Sequence, residues 1–282
     1  MGSISHEFDW YQATVPVHHE LLCAQLLAAM GEKAQRVPGK GMWSYKHSSA
    51  LTLEDEVAAR VLHGGVNPHP NVVATGDHGP ALASVLRTVF PDHRVSRCDV
   101  CIDMQGDGLF DDVVSVMGKC GRKYRLKGER ILPDDLDDGS TYYLGARTSP
   151  LRVRCYEKGK QLFKLTGDPV WKEFFGWTRL ELQVRPEKDF KSTASRLSPQ
   201  DFWGCAEWTR ALAAGALDLN PEPVAMKPTR ISDQERAMRA LSQQYGATIL
   251  RQIRKLGTPE AFMEDLLRRI GFEDEQVSPV TG

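Results

Sequence analysis

The fold is decided by the segment LRVRCYEKGK, residues 151–160, in which apolar and polar side chains alternate. On an extended strand the apolar residues at 151, 153 and 155 point to one face. The other face presents a phenol among cations: Arg152, Arg154, Tyr156 and Lys158. A phenol is a weak nucleophile near neutral pH because its pKa is about 10, but adjacent cations favour the phenolate and attract phosphate oxygens. The segment therefore indicates either a tyrosine presented to a phosphodiester or an ordinary tyrosine on a solvated strand face.

A second strand with one apolar and one charged face is predicted at residues 95–104, where Arg97, Asp99 and Asp103 share the charged face. Carboxylates on strands supply the oxygen ligands that Mg²⁺ or Mn²⁺ prefers. Asp99 and Asp103 lie ~13 Å apart along such a strand, so both are not expected to bind one ion directly. One of them ligates a metal while the other pairs with Arg97, or the face is a salt-bridged sheet surface.

A third strand of this kind is predicted at residues 177–185, where Arg179, Glu181 and Arg185 point away from an apolar face. Three such faces predict a shared concave site on an antiparallel sheet. A metal held there would polarise a phosphoryl oxygen, and Tyr156 would attack the phosphorus atom.

The most basic run of the chain, residues 119–127, follows a predicted helix at 107–117 and contains no acidic residue. Its candidate DNA-binding residues are Arg122, Lys123, Tyr124, Arg125 and Lys127. Cations with an aromatic ring among them suit phosphate contacts and base stacking. A mobile solvated loop is the alternative.

Composition restricts the class of protein. The chain has 282 residues, is 41% hydrophobic and carries a net charge of −1, so it can bury a core but shows no global sign of nucleic-acid binding. Six irregularly spaced cysteines are not a disulfide framework. Cys98 and Cys101 would point to opposite faces of a strand, which excludes a shared metal. Without a membrane-length apolar run or a signal peptide, we expect a soluble cytoplasmic protein.

The pattern of elements predicts an α+β fold: a largely antiparallel central sheet with flanking helices, plus a C-terminal helical segment. We expect two domains, residues 1–218 with the candidate site, and residues 219–282 with a linker, a helical module and a short disordered tail. The linker is indicated by Asn-Pro-Glu-Pro at 220–223.

Four ordered segments resemble the replication initiation factor family, the Rep_trans-type rolling-circle initiators of plasmids and some filamentous phages. They are residues 97–103, 141–149, 151–159 and 179–182, and the resemblance extends from about residue 8 to about 217. It implies an enzyme of a bacterial host cell that nicks one strand of origin DNA, stays attached through a 5′-phosphotyrosyl link and later rejoins the strand.

The resemblance also implies roles for individual residues. The family's tyrosine–acid–lysine element corresponds to Tyr156, Glu157 and Lys158, although Asp or Asn is expected at 157. Lys158 and Arg154 would offset charge on the reacting phosphate. The implied ligands of a divalent metal, Mg²⁺ or Mn²⁺, are Asp99, Asp103 and Glu181. Further candidate DNA contacts are Arg147 and Arg152.

Two other functions remain open. One is a catalytically silent protein that only binds origin or operator DNA; the other is a metal nuclease that activates water. In the leading hypothesis the partner is origin DNA, as a duplex or an extruded single strand, with a host helicase and a second copy of the chain as further candidates and no membrane. The histidines form no His-hydrophobic-His triplet, so we treat them as non-ligands.

Overall fold

The structure is a computed structural model that describes residues 5–226 and 233–271. Its strands, in chain order, are β1 His6–Thr14, β2 Gln35–Lys40, β3 Tyr45–Leu53, β4 Glu56–Gly65, β5 Asn71–Thr75, β6 Arg94–Gln105, β7 Gly128–Ile131, β8 Thr141–Leu144, β9 Leu151–Glu157 and β10 Trp177–Val184. Its α-helices are α1 His19–Met30, α2 His78–Val89, α3 Leu109–Tyr124, α4 Lys158–Thr166, α5 Phe190–Ala194, α6 Glu207–Leu217, α7 Asp233–Leu256 and α8 Pro259–Arg269.

All ten described strands form one sheet in the order β2-β3-β4-β5-β1-β6-β10-β9-β8-β7. Every pair of neighbours is antiparallel. The predicted α+β class with a largely antiparallel sheet and flanking helices is therefore confirmed. The strands that carry the three charged faces, β6, β10 and β9, lie next to one another in the centre of this sheet.

The core lies between one face of the sheet and helices α2, α3 and α6. Alternate residues of the central strands, among them Ile102, Val153 and Leu182, are fully buried there with Met117 of α3 and Trp203. Burying one such aliphatic side chain contributes about 1.5–3 kcal/mol. Because one face of β9 and β10 is used for the core, the alternating polar residues must point to the other face.

Helix α3 is longer than the sequence predicted. It continues from the expected end near residue 117 to Tyr124, so the basic run begins inside the helix rather than after it. The reason is the buried stripe, which extends beyond Met117 to Cys120 and Gly121. Gly118 and Gly121 concealed this continuation because glycine disfavours helix interiors.

The chain divides into two compact units, Met1–Met226 and Lys227–Gly282. In the second unit α7 and α8 pack against each other. The hydroxyl of Thr258 caps α8 by accepting a hydrogen bond from the Ala261 N–H at 3.1 Å. The predicted disordered tail lies outside the described residues. None of the helices in the described ranges combines the length and apolar character that crossing a lipid bilayer requires.

Candidate active site

The register of β6, β10 and β9 brings the three predicted polar faces onto one surface. Tyr156 lies opposite Arg179, and Arg179 lies opposite Asp103. Two residues further along the strands, Arg154 lies opposite Glu181. Directly opposed residues of antiparallel strands point to the same face. The register thus places the three charged faces on one surface of the sheet, which we call the polar face.

Tyr156 is held at the centre of the polar face. Its hydroxyl donates a hydrogen bond of 2.7 Å to Oε1 of Glu181. The guanidinium carbon of Arg154 lies 4.5 Å from the ring centroid, and Nζ of Lys158 lies 5.8 Å from it. These neighbours leave the tyrosine only 4% exposed. A cation-flanked phenol therefore faces a carboxylate rather than solvent.

The electrostatics of Tyr156 differ from the expectation that its cationic neighbours would favour the phenolate. Burial raises the pKa of the Tyr156 hydroxyl above its ordinary value, and the negative charge of Glu181 raises it further. Arg154 acts in the opposite direction but does not outweigh them. The sequence pattern revealed the cations but concealed the burial, and the resting side chain is a neutral phenol that needs a proton acceptor to react.

Each of the three predicted metal ligands binds a guanidinium. Glu181 accepts hydrogen bonds from Arg154 at 2.6, 2.7 and 3.1 Å. Asp103 accepts two from Arg179, at 2.6 and 2.7 Å. Asp99 accepts two from Arg97, at 2.5 and 2.9 Å, so of the two aspartates Asp99 is the one that pairs with Arg97. Charge-assisted bidentate pairs of this kind offset the cost of burying a carboxylate.

These acids do not form one ligand set in the arrangement described. Within residues 5–226 and 233–271, no group of three or more His, Cys, Asp or Glu side chains is placed to hold a metal ion. Carboxylate oxygens suit Mg²⁺ or Mn²⁺ chemically, but here they are engaged by arginines. The assignment of Asp99, Asp103 and Glu181 as metal ligands stays a prediction, and we derive no chemical step through a metal.

Asp9 is a member of the site that the sequence did not reveal. Its Oδ1 accepts a hydrogen bond of 2.6 Å from Arg179, which joins it to Asp103 through one guanidinium. Burial raises the pKa of Asp9, and the charge of Glu181 adds to the shift. A bulge between Phe8 and Trp10, where β1 pairs with β6, breaks the alternation around Asp9. This bulge is visible only in the pairing of β1 with β6, so the sequence alone did not indicate Asp9.

The two residues after Tyr156 have separate environments. Lys158 begins α4, and burial, followed by the charge of Arg179, lowers the pKa of its ammonium group. Glu157, where the family pattern differs, accepts a 2.8 Å hydrogen bond from the Ser140 N–H and forms a 2.8 Å ion pair with Lys160. Glu157 thus fastens α4 to the start of β8, whereas Lys158 contributes its charge to the polar face.

Residues 93–206, which include β6, β9 and β10, match the family described as replication initiation factor, Rep_trans. The resemblance of this chain to the replication initiation factor family is confirmed. A search of the curated proteins finds no match.

A solved structure supports the same fold. The structure of a rolling circle replication initiator protein from Geobacillus stearothermophilus matches with a TM-score of 0.52 and 18% sequence identity. The match covers 79% of this chain and 99% of that chain. At this identity it shows a shared fold, and the sheet described above is thus one that a replication initiator also uses.

Two further predicted DNA contacts are Arg152, on β9 with Tyr156, and Arg147, in the turn between β8 and β9. The guanidinium of Arg152 stacks 3.9 Å from the ring centroid of Tyr143 and lines a cavity of about 150 Å³ together with Arg97 and Arg154. The buried Nε of Arg152 has no hydrogen-bond partner in the described part of the chain. Arg147 is exposed and lies 3.3 Å from Glu129. Arg152 is therefore a cation with an unused donor, next to the site.

The basic run is not brought together with Tyr156. Helix α3 packs on the apolar face of the sheet, so Arg122, Lys123, Arg125 and Lys127 are exposed away from the polar face. Tyr124 is half-buried, and its hydroxyl donates a 3.2 Å hydrogen bond to Glu207. A DNA contact by the four cations stays a prediction, but base stacking by Tyr124 would require this packing to change.

Proposed function

We propose that this protein initiates rolling-circle replication by cutting one strand of origin DNA through Tyr156 and later rejoining it. The observation that carries the proposal is the 2.7 Å hydrogen bond from the Tyr156 hydroxyl to Glu181, flanked by Arg154 and Lys158. The family match over residues 93–206 and the fold shared with a rolling circle replication initiator support it.

The step is a transesterification. The Tyr156 oxygen forms a bond to the phosphorus atom, the bond from phosphorus to the 3′ oxygen breaks, and the 5′ phosphate remains on the tyrosine. The phenol proton passes to Glu181, which already accepts its hydrogen bond. Since the pKa of Tyr156 is raised, removal of this proton during attack is the contribution that the reaction most requires.

The cations act on the phosphate and on the leaving oxygen. Arg154 is two-thirds buried and therefore presents its charge in a poorly screened environment. A DNA phosphate that binds Arg154 competes with Glu181 for the same N–H groups, and thereby frees the carboxylate to take the phenol proton. Lys158, whose pKa is lowered by burial, is a stronger acid than an exposed lysine and can protonate the departing 3′ oxygen. Rejoining reverses these proton transfers.

The catalytically silent DNA-binding protein is the second candidate, because one observation favours it. Tyr156 is almost fully buried and uncharged, as expected of a structural tyrosine. The metal nuclease differs in chemistry, since water would attack and no protein would remain on the DNA. A divalent metal, a host helicase and a homodimer stay predictions from the sequence.

The test is a nicking assay on supercoiled DNA that carries the origin of the source replicon, with and without Mg²⁺ or Mn²⁺. We expect relaxed circles and, on denaturing gels, protein joined to the 5′ end. Peptide mapping should identify residue 156 as the attached residue. Free 5′ ends would support the metal nuclease, and bound but intact DNA would support the silent protein; either result contradicts the proposal.

A further inference from the structure

A second candidate site lies on the polar face, at a distance from Tyr156. It is a cavity of about 250 Å³, lined among others by Trp10, Met42, Trp43, Val57, Arg60 and Thr75. A cavity needs only roughly 10–15 Å³ to hold one water molecule, so this one has room for a much larger group. We propose that it binds an unstacked base of single-stranded DNA. This inference rests on the proposed function and specifies the form in which the DNA is bound.

The register places the cavity on the same side of the sheet as the site. Trp10 of β1 lies opposite Asp99 of β6, and Asp99 lies opposite Gln183 of β10. On the other side of β1, Trp10 lies opposite Thr75. Three strand spacings and four residues separate Trp10 from Tyr156, which corresponds to roughly 20 Å across the face. A single strand bound at both positions would therefore cross the centre of the sheet.

The side chains suit a base and its phosphates. Trp43 is 59% exposed, although tryptophan is on average a highly buried residue type. The guanidinium carbon of Arg97 lies 4.1 Å from the ring centroid of Trp10. Arg60 adds a second cation at the rim, and no carboxylate of the described residues pairs with it. Aromatic rings with interspersed arginines are typical of proteins that bind single strands, because every base has a face that stacks.

The backbone holds Trp43 in this position. The loop from β2 to β3 is closed by hydrogen bonds from Gly41 N–H to Lys46 O at 3.2 Å and from Tyr45 N–H to Met42 O at 3.1 Å. Trp43 has φ of 56°, in the left-handed region that non-glycine residues rarely adopt. Such conformations persist where the surrounding structure imposes them, and they are concentrated at binding sites.

The same polar face continues the pattern towards Tyr156. Arg97 stacks on Trp10, which lines this cavity, and itself lines the smaller cavity together with Tyr143 and Arg152. Stacked pairs of an arginine and an aromatic ring therefore occur at both cavities, on either side of Asp99. A duplex, whose bases are already stacked on one another, has no base face to offer Trp43.

The proposal is tested by equilibrium binding in the Tyr156→Phe background, where no cleavage interferes. Fluorescence anisotropy of a labelled mixed-sequence single strand should show about 5- to 150-fold weaker binding for Trp43→Ala. Trp43→Phe should keep most of the affinity, and duplex binding should not change. Val66→Ala, which alters a 97% exposed apolar side chain in another loop, is the control and should bind as the parent does.

A second measurement locates the base. With 2-aminopurine at successive positions of the single strand, fluorescence should be quenched at one position in the parent and not in Trp43→Ala. Unchanged single-strand affinity of Trp43→Ala, or an equal loss for single strand and duplex, would overturn the proposal. These readouts do not require nicking, so they are separate from the adduct at residue 156, whose absence would contradict the proposed function alone.

Discussion

Tyr156 and Glu181 are joined by a hydrogen bond of 2.7 Å across adjacent strands, and both side chains are almost fully buried. Glu181 also binds Arg154, so the same carboxylate connects the predicted nucleophile to the predicted phosphate-binding cation. In the proposed reaction, the rate therefore depends on the transfer of the Tyr156 proton to Glu181.

The first prediction concerns Tyr156 itself. Tyr156→Phe keeps the ring and its contact with Arg154 but removes the nucleophilic oxygen, so nicking and adduct formation should fall by at least about 1,000-fold. DNA affinity should remain within a few-fold of the parent. Tyr143→Phe is the matched control, because Tyr143 lies on the same face opposite Arg154. An adduct that is retained in Tyr156→Phe would contradict the role of Tyr156, and its loss in Tyr143→Phe at the same time would transfer that role to Tyr143.

The second prediction concerns Glu181 as proton acceptor. Glu181→Gln preserves the shape and a hydrogen-bond acceptor but removes the basic carboxylate, so the rate at saturating DNA should fall by about 100- to 10,000-fold. The change also leaves the partly exposed Arg154 without its counter-charge, and about 1–3 kcal/mol of unfolding free energy should be lost in urea melts. Asp111→Asn, a surface acid paired with Arg130, is the control for the same chemical change. A rate equal to that of the parent would rule out proton transfer to Glu181.

The fold could be predicted from the sequence largely because apolar and polar residues alternate along its central strands. Leu180, Leu182 and Val184 of β10 are buried with this period, and the buried Glu181 on the opposite face is the exception. Strand β2 escaped prediction, because QRVPGK at its edge position is mostly exposed and carries no alternation. Helix α3 was predicted too short for a different reason. Its glycines disfavour a helix, and the buried stripe that continues to Gly121 is visible only in the packed structure.

The site was predicted as three faces, but the sequence could not show how the charges pair. Arg179 was recognised as polar, whereas its simultaneous contact with Asp9 and Asp103 depends on strand order. The sign of the pKa shift at Tyr156 was missed for a related reason. Neighbouring cations are visible in a sequence, but burial and an acid on the next strand are not.

The third prediction tests the metal assignment through stability rather than catalysis. An ion that binds only the folded protein raises the melting temperature as its concentration increases. If Asp99 and Glu181 contribute ligands, Mn²⁺ should raise the melting temperature of the parent, and the rise should disappear in Asp99→Asn and Glu181→Gln. The absence of any rise in the parent would contradict the metal assignment and leave the proton transfer untouched.

The fourth prediction concerns the alkaline limb of the pH profile. Lys158 must be protonated to donate to the leaving oxygen, and burial lowers the pKa of its ammonium group below the ordinary 10.5. The nicking rate should therefore begin to fall before pH 10.5 as the pH rises. Lys158→Arg keeps the charge over this range, so its lower rate should be independent of pH there. Single-turnover rates with pre-bound DNA measure the effect, and an unchanged alkaline limb in Lys158→Arg would exclude Lys158 as its source.

The fifth prediction follows from Asp9 and concerns stability against pH. Burial and the charge of Glu181 raise the pKa of Asp9 above its ordinary value of 3.8, so the folded state binds this proton more tightly than the unfolded state does. Where the folded state holds more protons, the free energy of unfolding falls as the pH rises. This contribution is thus favourable below pH 3.8 and declines as the pH rises towards the raised pKa.

Asp9→Asn cannot ionise and still offers an acceptor to Arg179, so its unfolding free energy should decline less across that window. Urea melts at matched pH values measure the difference between the two proteins, in which the titration of all other groups cancels to first order. Parallel curves for parent and variant would show that the pairing with Arg179 outweighs burial at Asp9.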